Sequence, residues 1–360
     1  LPNLLGILIV VLVSFRLGFI PFWLALLLGI FAFTPFFLND FLFPASYMPD
    51  QFKYLHIVQS LRVGSLSYEP IAKTVELAGW FLAFVPLPFV ETIYSLGFYN
   101  RFIVTILIIW LYSSKHLRGW PLLFILFYPS FLLYSSLALR DTLIFVFMLV
   151  SVILFIENHR ILAMLVALPL LIIKFQNFFL ILVFFVVYLT FTKGSFFYQL
   201  RFIILPLVLV ALIPFLMQII EVLDFYRLAM FIEDGGDRDF YVPIGSISDF
   251  LVIGFQSAPY FLLKPFPWEA SGLLQLMQSF ENFLVFIFLA YLFWRVSKID
   301  RLMALKWLVF LLFALTIYGL VVFNYGTAVR YKFPFILIVV IGMAYDLYLK
   351  HGACILRNRQ

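Results

Sequence analysis

Residues 306–323 read KWLVFLLFALTIYGLVVF, with one charge at the first position and no carboxylate. Such a stretch has no polar face to turn toward water. A helix of about 20 apolar residues crosses the roughly 30 Å of hydrocarbon in a bilayer, and the backbone must be helical there because lipid offers no partners to free N–H and C=O groups. Apolar segments of this kind recur at 4–15, 17–38, 80–95, 101–113, 121–137, 141–156, 161–173, 178–192, 202–220, 281–296, 306–323 and 333–349. Several are short, as in tilted or partial crossings. The expectation is an all-α, polytopic membrane protein: one integral membrane domain over 1–360, with about 11–12 transmembrane helices.

Composition agrees with this reading. The chain is 65% hydrophobic and 12% charged, against about a quarter charged in an ordinary globular domain. Its net charge of +6 comes from cations scattered at segment ends, so nucleic acid is not an expected partner, whereas membrane lipids are. The single cysteine, Cys354, permits no disulfide within these 360 residues. The first apolar run lacks a basic flank and continues into a second, which reads as a retained helix rather than a cleaved signal.

Two polar stretches interrupt the series, 39–79 and 221–280. Lys and Arg near span ends are retained on the cytoplasmic side. The tail with Lys350, Arg357 and Arg359, the loop with Arg295, Lys298, Arg301 and Lys306, and the turn with Lys193 and Arg201 are therefore assigned inward. Residues 221–280 then form a large extracytoplasmic loop with short helices. The side of 39–79 depends on residues 80–95: a crossing puts the loop inside, a re-entrant or surface helix puts it outside.

With that orientation, Arg101, Arg140, Lys174, Arg330 and Lys332 all fall at outer ends of spans. Ionisable groups in spans cost about 2.5–3.5 kcal/mol each, so several at one depth suggest a common purpose, and an arginine fork suits phosphate. Independent snorkelling to lipid phosphates is the alternative for any one of them. Ser136 shares a helical face with Arg140, Asp141 is placed to cap a helix or to complement its dipole, and Lys174, Gln176 and Asn177 make a polar turn. Asp237, Arg238 and Asp239 match a short cation-binding D-x-D pattern, but Arg238 would compete for the carboxylates. Neither a metal nor a cofactor is expected. His56, His116, His159 and His351 are widely dispersed in sequence.

Three patches carry a resemblance. Tyr128, Pro129 and Ser130 followed by Ser135, Ser136, Leu139, Arg140 and Asp141 resemble a P-x(n)-S-x-x-x-R-[DQ] stretch. Lys264, Pro265, Phe266, Pro267, Trp268 and Glu269 resemble a K/R-P-F-P-W-E run. Asn324, Tyr325, Gly326, Thr327, Arg330, Tyr331, Lys332 and Pro334 resemble an N-x-G-x-x-x-R-Y-[RK]-x-P start to a late span. Together they are similar to the Wzy-type polysaccharide repeat-unit polymerases, among the integral-membrane (GT-C-like) glycosyltransferases that serve O-antigen and lipopolysaccharide biosynthesis. An early D-x-x-x-Y pattern, Asp50 and Tyr54 here, belongs to the same resemblance and favours an outward 39–79 loop.

The resemblance implies transfer of an undecaprenyl-diphosphate-linked glycan to another lipid-linked repeat on the outer leaflet of the bacterial inner membrane. A chain-length regulator protein is an implied partner. The leaving group is a diphosphate, so Arg140, Arg330 and Lys332 are expected to stabilise developing charge. A general base would come from Glu269, Asp50 or Asp249. Arg101, Asp141, Lys174, Tyr54, Lys264, Asn324 and Tyr331 complete the expected substrate-binding set. Phe255, Tyr260, Phe266 and Trp268 would guide lipid or stack on sugars. A lipid-linked oligosaccharide flippase and an O-antigen ligase are the competing readings.

Overall fold

The computed structural model describes residues 1–38, 42, 48–64, 73–233 and 235–357. Among these the chain is α-helical throughout, with short 3-10 turns and no strand. It divides into two units, one formed by Leu1–Ile181 with Ala344–Gln360, the other by Leu182–Met343. The first holds α1 (Pro2–Arg16), α2 (Phe22–Phe31), α3 (Thr34–Leu38), α4 (Asp50–Val63), α5 (Lys73–Ala83), α6 (Ile93–Ser113), α7 (Trp120–Phe127), α8 (Pro129–Tyr134), α9 (Asp141–Ile156) and α10 (Arg160–Ile173). The boundary falls within α11 (Phe175–Phe191). Beyond it lie α12 (Phe196–Leu212), α13 (Leu216–Glu233), α14 (Ile247–Leu263), α15 (Leu273–Ile299), α16 (Arg301–Val321) and α17 (Tyr325–Arg357), the last contributing to both units.

Four of the described helices are long and apolar enough to cross a bilayer: Ile93–Ser113, Leu273–Ile299, Arg301–Val321 and Tyr325–Lys350. A fifth span results if Phe175–Phe191 and Phe196–Ile203, bent by 92° at their junction, count as one. The protein is thus a helical membrane protein, and the remaining apolar segments are shorter helices or broken ones. Large apolar side chains stand exposed along it, Phe255 at 86% and Phe202 at 77% among them, as suits a surface whose solvent is lipid.

Three segments depart from the sequence expectation. Residues 80–95 do not form one apolar helix: α5 ends at Ala83 and α6 starts at Ile93, because Pro86 and Pro88 cannot continue a helix. Their backbone groups are met by side chains. The Arg62 guanidinium donates to Ala83 O at 3.0 and 3.2 Å, to Val85 O at 2.6 Å and to Leu87 O at 2.5 Å. Tyr99 Oη also donates to Leu87 O, at 2.7 Å. Asn3 brackets Phe89 with bonds to its O at 2.7 Å and from its N at 3.3 Å, and Gln59 donates to Val90 O at 2.9 Å. One residue thus holds three alternate carbonyls, of Ala83, Val85 and Leu87, where α5 gives way to the non-helical segment. Arg62→Leu is expected to lower unfolding stability by about 3 kcal/mol, since each unmet buried carbonyl costs about 1–3 kcal/mol. Thermal unfolding in detergent checks it, with Arg62→Lys recovering only part because an ammonium lacks the fork.

Residues 121–137 divide too. Tyr128 is held extended by the following Pro129, which starts α8 at its first turn, and helix ends at Tyr134. Residues 202–220, read as one apolar segment, divide at the 3-10 turn Ile213–Phe215 between α12 and α13; beyond them the apolar 17-residue α14 packs on α16. A Cβ at Gly319 would lie 2.5 Å from Ser257 O, so only glycine permits that approach. The Asp300 carboxylate caps α16 by accepting from the N–H groups of Leu302 and Met303, both at 3.0 Å.

Just past the C-terminal end of α9, Glu157 Oε1 accepts from Tyr345 Oη at 2.7 Å and lies 2.8 Å from His116 Nε2. The His116 ring sits 4.7 Å from Tyr345 and 5.1 Å from Trp110. The turn after α6, the α9–α10 turn and the late part of α17 are joined there.

Candidate functional site

In the first unit, chemistry concentrates where α8 gives way to α9. Residues 135–139 are neither helical nor solvated: Ser135, Ser136, Ala138 and Leu139 are fully buried and Leu137 nearly so. Irregular backbone at membrane depth persists only when protein meets its polar groups. Asn100 Nδ2 donates to Leu137 O at 2.6 Å and to Leu139 O at 2.7 Å, while Ala138 N donates to Gln51 Oε1 at 3.0 Å. Ser136 Oγ donates to Leu132 O and sits 2.7 Å from Thr34 Oγ1. Gly97 lets α6 pass so close that an added Cβ would lie 2.5 Å from Ser136 O.

Arg101, one residue on from Asn100, is 2% exposed, donates from Nη1 to Ser135 Oγ at 3.1 Å and stacks 5.6 Å over Phe31, with its Nε buried and unpartnered. Arg140 terminates the break. Its Nη1 donates to Ile173 O at 3.0 Å, the residue before Lys174, so the last turn of α10 and the first of α9 are brought together. The rest of its partly exposed fork carries no hydrogen bond to the described residues. Asp141 opens α9 and is 3% exposed; Lys174, between α10 and α11, is 8% exposed. Arg101, Arg140, Asp141 and Lys174 therefore occupy this one region, with Ser135 and Ser136 between the two arginines in sequence. Tyr54 is buried at 2%, on the α4 that supplies Gln51. Asp50, at the start of α4, pairs with Lys53 at 3.1 Å on an exposed face. Residues 39–41, 43–47 and 65–72 of the early loop lie outside the described residues.

In the second unit the 264–269 run folds into a 3-10 turn. Phe266 N donates to Glu269 Oε2 at 3.1 Å, Lys264 Nζ lies 3.3 Å from Glu269 Oε1, and Tyr325 Oη reaches Glu269 Oε2 at 3.4 Å. Burial pushes the Glu269 carboxyl up, but the Phe266 N–H, Lys264 and Tyr325 outweigh it and hold the group below the usual carboxylate range. Trp268 is 79% exposed and stacked on Phe266, with ring centres 4.9 Å apart. Asn324 Oδ1 accepts from Gly326 N at 2.8 Å and starts α17. Tyr331 packs 5.1 Å from Tyr318, and Arg330 lies 5.9 Å over the Tyr331 ring. Lys332, 1% exposed, donates to Phe261 O at 3.3 Å and Leu262 O at 3.0 Å, which anchors the last turn of α14.

Asp249 does not join this group. It is exposed and caps α14 with Ser246, whose Oγ donates to Asp249 Oδ2 at 2.7 Å and accepts from Asp249 N at 3.1 Å. Asp237 likewise caps its own turn, accepting from Asp239 N at 3.1 Å.

Sequence reading missed Gln51, Arg62, Asn100 and Arg227. Each lies among other polar residues, Asp50 and Lys53 beside Gln51, Gln59 and Ser60 before Arg62, Arg101 after Asn100 and Asp224 before Arg227, so nothing in the sequence singled it out. The dispersed histidines gave no hint of the His116–Glu157 link, since 41 residues separate the partners. Neither a protein-family model, nor a curated protein, nor a solved structure matches this chain.

Proposed function

We propose that this protein is a glycosyltransferase that polymerises undecaprenyl-diphosphate-linked repeat units, acting as a multi-pass protein on the outer leaflet of the bacterial inner membrane. The observation that supports this best is Arg140: a guanidinium with most of its fork uncommitted, set at the end of a sequestered break and adjoining Lys174. A diphosphate leaving group gains negative charge as the glycosidic bond to it breaks. A preorganised cation that strengthens its grip at that moment lowers the barrier directly.

In this reading Arg140 contacts the diphosphate, and Arg330 is tested separately for the same role. Lys332, bonded to two α14 carbonyls, acts by positioning the 264–269 turn. The base for the acceptor hydroxyl comes from Glu269, Asp50 or Asp249, each of which already has a partner: Lys264 with the Phe266 N–H, Lys53, and the Ser246 cap. The shorter apolar helices, crossing partly or in pairs, complete a bundle of about 11–12 passes in the proposal, with 221–280 extracytoplasmic and with a chain-length regulator as partner.

The test is the glycan of a cell lacking the gene, resolved by repeat number. Single repeats capped on lipid, with no ladder, support polymerisation. Absence of repeats at the outer face points instead to a flippase, and long polymer stranded on its carrier to a ligase.

A further inference from the structure

The second unit contains a cavity of about 250 Å³, to whose wall the resemblance patches contribute only Lys264 and Tyr325. It lies among α13, α14, α16 and the start of α17, with the glycine-permitted contact between Gly319 and Ser257 in its wall. Tyr260, Phe261, Phe323 and Tyr325 give it aromatic faces, and Arg227, Lys264 and Gln256 supply polar groups. Among the described residues that line it there is no Asp or Glu.

The two cations are both donors without acceptor capacity. Arg227 Nη1 donates to Leu320 O at 2.9 Å, its plane lies 4.9 Å over Phe323, and its Nε is buried with no partner. Lys264 Nζ lies 4.5 Å over Tyr260 while paired with Glu269. Both nearby carboxylates are engaged: Asp224 Oδ1 accepts from Tyr241 Oη at 2.6 Å and from Ile244 N at 2.7 Å, and Glu269 accepts from its own turn. A lining that holds an unmet Arg227 N–H and a lysine between aromatic faces selects an acceptor-rich ligand with an apolar side. The volume lies below the 300–1,000 Å³ typical of drug-sized ligands, so it suits one ring or a short phosphate group rather than an oligosaccharide.

The geometry points to a binding site for an oxyanion-bearing group of single-sugar size, with Arg227 as its principal anchor. A sugar acid's carboxylate and a carrier's diphosphate share this chemistry. The inference deepens the glycan-transfer reading and rests on it only for the choice of probes. Binding is read without polymer, so a failed titration leaves the repeat-ladder experiment standing, and the reverse also holds.

The experiment is calorimetric titration of the full chain, in nanodiscs of zwitterionic lipid, with D-glucuronate, inorganic diphosphate and D-glucose. Saturable binding of glucuronate or diphosphate, at least tenfold tighter than glucose, is expected, and the tighter of the two identifies the source. Arg227→Gln is expected to weaken that binding at least tenfold. Because Arg227 also holds Leu320 O, Lys264→Gln serves as the second variant, which leaves that carbonyl's partner in place; a fewfold loss is expected. Absence of saturable binding by either anion, glucose binding equally well, or wild-type affinity in both variants would overturn the proposal.

Discussion

Arg140→Ala gives cells whose lipid-linked glycan stops at one repeat, with the ladder of longer products gone and the protein still folded in the membrane. Among the described residues the side chain makes one hydrogen bond, to Ile173 O, whose loss removes about 1 kcal/mol of stability. Removing one preorganised group that stabilises developing negative charge, by contrast, costs about 10²–10³ in rate. Arg140→Lys retains a charge but not the bidentate fork, and an intermediate, shortened ladder is expected from it. Arg330→Ala is expected to act in the same direction. Measurement is a repeat-resolved gel beside quantitation of the membrane-inserted protein; normal polymer length from both alanine variants would remove the anion site from the proposal.

The second large effect is structural and lies one turn away from the chemistry. Asn100→Leu should destabilise the first unit by about 2–6 kcal/mol, because it leaves Leu137 O and Leu139 O buried and unmet at about 1–3 kcal/mol each. Asn100→Asp should do as badly, since a carboxylate offers no N–H to a carbonyl. Unfolding in detergent with increasing denaturant measures it. If Asn100→Leu unfolds like the wild type, the break is held by something other than that amide. Arg101 follows Asn100 on α6, so a shifted break displaces both arginines, and polymer is expected to fall together with stability.

Helical class and membrane residence were readable from the apolar segments because the bilayer imposes one rule on every backbone group that enters it. The count of full crossings was not readable, and residues 80–95 show why. Hydropathy registers the phenylalanines and leucines there, whereas Pro86, Pro88 and a distant Arg62 decide the backbone. The sequence groups Arg101, Arg140, Lys174, Arg330 and Lys332 because all fall at span ends; the first three lie near the α8–α9 break of the first unit, and the last two on α17 in the second. Asp249 carries the other lesson. A carboxylate in a loop reads as a candidate base, yet Ser246 three residues earlier makes it a helix cap. Arg227 was passed over because a lone arginine on a mixed helix has no signature until Tyr241, Phe323 and Leu320 close around it.

The Glu157 contact distinguishes the two ends of α9 in their response to acid. Burial raises the Glu157 carboxyl, but Tyr345 and His116 lower it further, leaving it below its ordinary value of 4.5. Stability from a carboxyl depressed in this way is present above the ordinary value and disappears as pH falls through the folded one. At the opposite end, the Asn100 amide that holds Leu137 O and Leu139 O does not titrate. Acidification therefore frees the first unit from one end only. Amide exchange at 113–118 and 157–160 should rise as pH drops below about 4, after correction for intrinsic rates, while 83–91 stays protected.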